Sequence, residues 1–154
     1  MKTRLLVLLL LTLLLGGCSA QTASPEESPA ITPETEETIM LQLKIGDTLV
    51  PVIWEDNASV RALMELAAED GLTISMSMYG GFEQVGAIGQ SIVRDDVQTT
   101  TEAGDIMLYS GDQIVLFYGS NRWAYTRLGR MELSRQQLRE LLGSGDVTIT
   151  IFTE

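Results

Sequence analysis

Residues Gly104–Arg130 read GDIMLYSGDQIVLFYGSNRWAYTRLGR and contain the clearest secondary-structure pattern in the chain. Two runs rich in β-branched and aromatic residues, Ile106–Tyr109 and Ile114–Tyr118, flank the tripeptide Ser110-Gly111-Asp112. A glycine in so short a connection supplies the positive φ that tight hairpin turns require. The stretch therefore predicts a β-hairpin.

The same stretch concentrates side chains that are suited to binding. It contains five of the chain's nine aromatic residues, and the segment that follows the hairpin carries Arg122, Arg127 and Arg130. Trp123, Tyr125 and Arg127 alternate along that segment, so an extended backbone would place them on one side. If the protein binds a ligand, we expect the contacts to lie in this region.

Alternation of apolar and polar residues predicts further strands on both sides of the hairpin. Ile39–Ile45, Thr48–Trp54 and Leu72–Tyr79 precede it, and Val147–Phe152 follows it. Pro51 interrupts the second of these runs, and because proline cannot donate to a strand ladder it predicts an edge position or a bulge there.

Two short amphipathic helices are predicted between the strands. Asp56 or Asn57 can cap the first, whose apolar residues recur at helical spacing until a glycine ends it. Ser134 and Gln137 have the spacing of a capping box in front of the second helix, Arg135–Leu142.

Two other segments are predicted to lack regular structure. The glycine-rich run GGFEQVGAIG, Gly80–Gly89, is interpreted as turns, because it lacks the lysine and serine or threonine of a phosphate-binding loop. The polar segment Ser91–Ala103 is interpreted as a solvated loop.

At least six strands with two short helices in about 115 residues predict a mainly β domain, a closed or nearly closed antiparallel barrel.

The first 17 residues predict a lipoprotein signal peptide. Lys2 and Arg4 precede the aliphatic run Leu5–Leu15, which is short for a membrane span and typical of a signal peptide. Small residues before Cys18 resemble a bacterial lipobox, in which the peptidase cuts before the cysteine and the thiol carries the lipid. An ordinary secretory signal followed by an unrelated cysteine is the alternative.

Residues 18–38 predict a lipidated cysteine followed by a disordered tether, and residues 39–154 predict the folded domain. The segment from Ser19 to Thr38 has three prolines, five glutamates, no basic residue and little apolar content, so it cannot form a packed core. We expect the domain to lie outside the cytoplasm in the bacterial cell envelope, held to a membrane by lipid on Cys18.

Composition excludes several kinds of chemistry. The single cysteine, Cys18, excludes a disulfide within the chain, a cysteine-based metal site and thiol catalysis in the folded domain. The absence of histidine excludes a Ser/His/Asp triad. We expect neither a metal site nor a cofactor. From Ile39 onward the net charge is near −8, which disfavours nucleic acid as a partner.

Several motifs together resemble the bacterial cyclophilin-like proteins, small β-barrels with the cyclophilin fold. The most specific are Gly104–Tyr109, Leu116–Tyr118, Tyr125–Arg130 and Gly143–Val147, and the similarity covers Ile39–Phe152. The resemblance implies a cyclophilin-like barrel, but a shared fold does not transfer an activity.

The resemblance leaves the isomerase activity of true cyclophilins in doubt. Their site combines an arginine with an apolar pocket that includes histidine, and this chain has no histidine and no segment matching the arginine-bearing strand. Arg127 is the one candidate substitute. The simpler interpretation is that Trp123 and Tyr125 pack at a barrel end while Arg127 pairs with a surface acid.

Three functions follow from these observations. The first is a noncatalytic binding module for a small molecule, a peptide or an envelope protein, and the second is a peptidyl-prolyl isomerase acting on exported proteins. The third is an assembly role within an envelope complex. The residues predicted to contact a ligand are Tyr79, Phe82, Tyr118, Arg122, Trp123, Tyr125 and Arg127.

Overall fold

A computed structural model describes residues 40–154, and all of these fall in one compact unit. The predicted signal peptide, the lipidation of Cys18 and the acidic tether through Thr38 lie outside the described residues. The described residues contain ten strands and two helices, in the order β1 (Leu41–Ile45), β2 (Thr48–Val50), β3 (Val52–Trp54), α1 (Ala58–Ala67), β4 (Leu72–Tyr79), β5 (Glu83–Ala87), β6 (Val97–Thr100), β7 (Asp105–Tyr109), β8 (Gln113–Phe117), β9 (Arg122–Met131), α2 (Arg135–Leu142) and β10 (Val147–Thr153).

Nine of the strands form a nearly closed antiparallel barrel, as predicted. Their order is β2-β1-β10-β4-β5-β8-β7-β9-β3, and β6 pairs with β9 outside this path. The two ends of the path, β2 and β3, are consecutive in the chain and meet at Pro51. Because proline has no N–H to donate, the predicted strand Thr48–Trp54 is divided there into two short strands that pair with different neighbours.

The predicted hairpin is confirmed as β7 and β8. Its register pairs Ile106 with Leu116 and Leu108 with Ile114. Ser110 and Gly111 in the three-residue connection both have positive φ, 54° and 84°, and the Asp112 N–H donates to the Tyr109 carbonyl to close the turn. The segment after the hairpin forms β9, which pairs with β7, β3 and β6.

The main core lies on one face of the curved sheet. Fully buried residues such as Leu43, Ile106, Leu116 and Ile149 alternate along their strands and pack together. The buried sides of both helices complete this core, with Leu63 from α1 and with Leu138 and Leu142 from α2.

A second, smaller cluster lies on the opposite face of β7, β8 and β9. It consists of Met107, Val115, Phe117 and Tyr125, which alternate with main-core residues along the same strands. Burial on both faces explains why β7 and β8 are continuous apolar runs and not alternating ones. The outer face of these strands is therefore covered by other side chains, since Phe82, Val85 and Tyr109 pack against the second cluster.

Both helix caps agree with the predictions. The Asn57 side chain accepts a hydrogen bond from the Val60 N–H at 2.9 Å, so Asn57, of the two candidates, caps α1. Ser134 and Gln137 form the predicted capping box of α2, which spans the predicted residues. The described segment thus supplies its own core and caps, and we expect it to fold without the residues that precede it.

Two predictions of irregular structure are wrong. The glycine-rich run contains β5, which pairs with β4 and β8. A Cβ on Gly86 would lie 2.5 Å from Ile74 Cγ2 and 2.9 Å from the Ser75 carbonyl oxygen, so the glycine is there because β4 leaves no room for a side chain. The predicted loop Ser91–Ala103 contains the short strand β6, which is mostly exposed and depends on pairing with β9.

Candidate functional site

A cavity of about 280 Å³ opens on the outer face of the barrel, above the second cluster. We call it the outer cavity. Strands β4, β5, β7, β8 and β9 and the β8–β9 connection form it, and its lining residues are Tyr79, Glu83, Val85, Tyr109, Gln113, Val115, Asn121, Trp123 and Tyr125. Its size suits a small ligand or a single side chain.

Antiparallel pairing brings these residues together. Glu83 on β5 is the cross-strand partner of Tyr79 on β4, and Val85 is the partner of Val115 on β8. Tyr109 on β7 is likewise the partner of Gln113. Since partners across an antiparallel pair project to the same face, two separate stretches of sequence, 79–85 and 109–115, contribute to one surface.

Aromatic rings form the walls of the outer cavity. The Tyr125 ring packs edge to face against Phe117 and Tyr109, with ring centroids 5.6 and 6.0 Å away. The Asn121 amide donates to the Tyr125 hydroxyl at 3.1 Å and holds the ring in place. At the rim, Tyr79 and Trp123 are 65% and 56% exposed, so both rings present apolar surface to the solvent.

Glu83 is the one ionisable group of the cavity that carries charge near neutral pH. The residue is 5% exposed, and its Oε2 has no hydrogen-bond partner. Burial disfavours the charged form and raises the pKa of Glu83 from 4.5 to about 7. The pKa values of Tyr118 and Tyr125 are raised first by burial and then by the charge of Glu83.

A separate polar cluster lies where β7 begins. The Asp105 carboxylate, 1% exposed, accepts hydrogen bonds from Arg127 at 2.8 and 3.3 Å and from Arg130 at 3.0 Å. It also accepts from the backbone N–H of Glu102 at 2.9 Å. Both oxygens of this buried carboxylate are hydrogen-bonded, and the bonds connect β7 to β9, so we assign Asp105 a structural role.

Three of the residues predicted from the sequence meet in the outer cavity. Tyr79, Trp123 and Tyr125 come from two different strands and line the same space. A fourth, Phe82, packs against the second cluster below them and lies edge to face against Tyr79 at 6.5 Å.

The other predicted residues lie elsewhere. Tyr118 is buried in the main core and borders a different cavity, near α2. Arg122 is exposed and does not line the outer cavity. Arg127 pairs with Asp105, and this acid is buried, whereas the sequence interpretation had expected a surface acid.

Several lining residues were missed by the sequence analysis. Glu83 and Val85 were assigned to turns, because the run Phe82–Val85 has two adjacent polar residues and no strand-like alternation. Tyr109, Gln113 and Asn121 lie within or beside the hairpin. The sequence does not indicate which face of the hairpin packs inside the barrel and which faces the outer cavity.

The described residues were compared with the requirements of a membrane-spanning helix and of a metal centre. None of the helices within residues 40–154 is long and apolar enough to span a bilayer. The same residues bring no three metal-ligating side chains of the His, Cys, Asp or Glu type together.

Comparison with known proteins identifies the family. A family model described as the Cyclophilin-like family matches residues 43–152, from within β1 to within β10. The chain belongs to this family, and the resemblance inferred from its motifs is confirmed. A search of curated proteins gave no significant match.

One solved structure shares the fold. The hypothetical protein AF2241 from Archaeoglobus fulgidus, whose structure was determined in solution, matches with a TM-score of 0.53 and 15% sequence identity. The match covers 73% of this chain and 92% of that chain. At this identity the likeness concerns the fold alone.

Proposed function

We propose that this protein is a noncatalytic binding module that is anchored by lipid on Cys18 and holds its barrel outside the cytoplasm. The binding part of this proposal is based on the outer cavity. It combines an apolar floor, Val85 and Val115, with aromatic walls and a few polar groups, which is the usual composition of a small-molecule pocket. The exposed rings of Tyr79 and Trp123 at its rim lose water-exposed area when a ligand covers them.

The chemistry of the lining supports binding over catalysis. Among the described residues, the outer cavity contains no serine, threonine, lysine or arginine side chain. Glu83 is its single carboxylic acid, so a pair of carboxyl groups that could act as general acid and general base does not occur there. A small molecule is favoured over a protein partner because the space is concave and compact.

The isomerase alternative receives no support from the position of Arg127. That guanidinium is engaged by the buried Asp105 carboxylate and lies outside the lining of the outer cavity. Polarising a peptide carbonyl over an apolar pocket needs a donor that projects into the pocket. Proline-limited refolding of a reporter protein is therefore expected to proceed at its uncatalysed rate in the presence of this protein.

The binding proposal is tested by native mass spectrometry of the domain from Ile39 to Glu154, isolated gently from the envelope fraction of its host. A bound molecule appears as a mass excess that denaturation removes. Val85→Trp fills the floor of the cavity and is expected to abolish that excess, whereas Ser75→Trp places the same side chain at an exposed position of β4 and retains it. A bare wild-type mass, or an excess that survives in Val85→Trp, would contradict the proposal.

The anchor is tested separately. Mature full-length protein is expected to carry the mass of a diacylated or triacylated cysteine at its N-terminus, and Cys18→Ser is expected to remove both the lipid and the membrane association. Release of unlipidated wild-type protein would favour the ordinary secretory signal.

A further inference from the structure

We infer that the outer cavity binds an ammonium group carried on an apolar or aromatic body, with the Glu83 carboxylate accepting its hydrogen bonds and the aromatic rings enclosing the cation. This inference rests on the proposed binding function and specifies its ligand class. Three independent properties of the cavity lead to it.

The first property is an unsatisfied acceptor. The Oε2 atom of Glu83 is buried and has no hydrogen-bond partner, and within the described residues no arginine or lysine forms an ion pair with this side chain. Leaving a buried polar atom unpaired costs roughly 1–3 kcal/mol. A ligand N–H would recover that cost, so a protonated amine suits the site better than a quaternary ammonium group, which has no hydrogen to donate.

The second property is the aromatic enclosure. Tyr79, Tyr109, Trp123 and Tyr125 surround the space into which Glu83 faces. The negative faces of such rings attract a cation, and the tryptophan ring does so most strongly. The same rings contact the apolar body of a ligand, which an inorganic cation would lack.

The third property is charge. From Ile39 onward the chain carries a net charge near −8, and the field of that charge draws cations towards the surface and repels anions. The lining offers an anion no basic side chain within the described residues. A neutral ligand with a carbonyl group is the remaining alternative, because the protonated form of Glu83 can donate to it.

The pH dependence of binding separates these two ligands. Burial raises the pKa of Glu83 to about 7, and the other titratable groups around it are tyrosines: Tyr79, Tyr109, Tyr118 and Tyr125. Between pH 5.5 and pH 8 the titration of Glu83 therefore controls the charge of the cavity. If only the ionised form binds the ammonium group, its affinity rises about 30-fold over this range, as the ionised fraction does. A neutral carbonyl ligand would show the opposite trend.

The test uses three probes of one shape: benzylammonium, benzyl alcohol and benzoate. Each is titrated into the ¹⁵N-labelled segment Ile39–Glu154 at pH 5.5 and pH 8, and binding is followed through the Trp123 indole and the Asn121 side-chain amide signals. We expect benzylammonium to bind at pH 8 at least tenfold more tightly than benzyl alcohol, and benzoate not to bind.

Two variants make the result specific. Glu83→Gln keeps the shape of the side chain and is expected to reduce benzylammonium affinity to that of benzyl alcohol and to abolish the pH dependence. Glu132→Gln removes the same charge from an exposed position outside the cavity lining and is expected to behave as wild type.

Each other outcome overturns the inference in a recognisable way. Equal binding of benzyl alcohol, tighter binding at pH 5.5, or full affinity in Glu83→Gln would show that the cavity takes a neutral ligand, and the proposed binding function would stand. Failure of all three probes at pH 8 overturns the cation inference. The binding function would fall with it only if native mass spectrometry also gave a bare mass.

Discussion

Replacing Glu83 by glutamine is expected to stabilise the protein at pH 8 and to leave it almost unchanged below about pH 4.5. The side chain is 5% exposed, and its Oε2 is unpartnered, so the ionised form is held in an environment that disfavours it. Glutamine has nearly the same shape and carries no charge. The variant therefore isolates the cost of the ionised carboxylate.

The magnitude follows from the pKa of Glu83, which is raised from 4.5 to about 7 by burial. Since each pH unit between the folded and unfolded pKa corresponds to about 1.4 kcal/mol, the ionised carboxylate destabilises the fold by on the order of 3 kcal/mol. The folded state holds the proton more tightly than the unfolded chain. The contribution of Glu83 to stability is therefore complete below about pH 4.5, falls between pH 4.5 and 7, and stays constant above.

Urea unfolding of the segment Ile39–Glu154, followed by circular dichroism at several pH values from 4.5 to 8, measures this effect. The quantity of interest is the free energy of unfolding of Glu83→Gln minus that of wild type, because the other carboxylates titrate equally in both proteins. Glu132→Gln provides the matched control for loss of one exposed charge.

We expect the difference between Glu83→Gln and wild type to grow as pH rises to about 7, and the difference for Glu132→Gln to stay near zero. A difference for Glu83→Gln that does not change with pH would refute the reasoning. It would mean that water or a basic group reaches the carboxylate in solution, and the case for a buried, unpartnered acceptor would fail as well.

Three further predictions concern the framework that holds the cavity, each measured as the urea midpoint of unfolding. Gly86→Ala is expected to cost about 1–3 kcal/mol, because its Cβ would collide with β4, whereas Ala87→Gly on the exposed side of β5 removes only a methyl group. Asp105→Asn should cost about 2 kcal/mol, since it removes the negative charge to which two partly exposed arginines donate hydrogen bonds. Asp56→Asn, which breaks an exposed pair with one arginine, should change little. Asn57→Ala removes both the α1 cap and a 2.8 Å hydrogen bond to a β9 carbonyl, so a loss of about 1–2 kcal/mol is expected. Equal effects in the paired variants would contradict these assignments.

Local patterns were sufficient to predict much of the fold. The β7–β8 hairpin, the Ser134 capping box and the alternation in β1, β4 and β10 depend on residues that are close together in the chain. Backbone geometry and side-chain alternation at that range follow directly from residue type. The barrel class followed because so many strands need a way to avoid exposed edges.

Elements with weak local preferences were missed. β5 contains Gly86, and glycine disfavours a strand unless a neighbouring strand needs the space, which here is filled by Ile74 and Met76. The short, exposed β6 is held by its pairing with β9, so its own residues carry little strand preference.

The sequence by itself determined the class of fold, the family resemblance and the chemistry that the chain lacks, because these depend on composition and on local periodicity. The tertiary structure alone decided which aromatic residues share a cavity and which carboxylate lies among them. Tyr79, Glu83 and Tyr125 come together only when β4, β5 and β9 take their places in one sheet. Burial, and with it the raised pKa of Glu83, is a property of that assembled surface, since desolvation depends on every strand that excludes water from the carboxyl group.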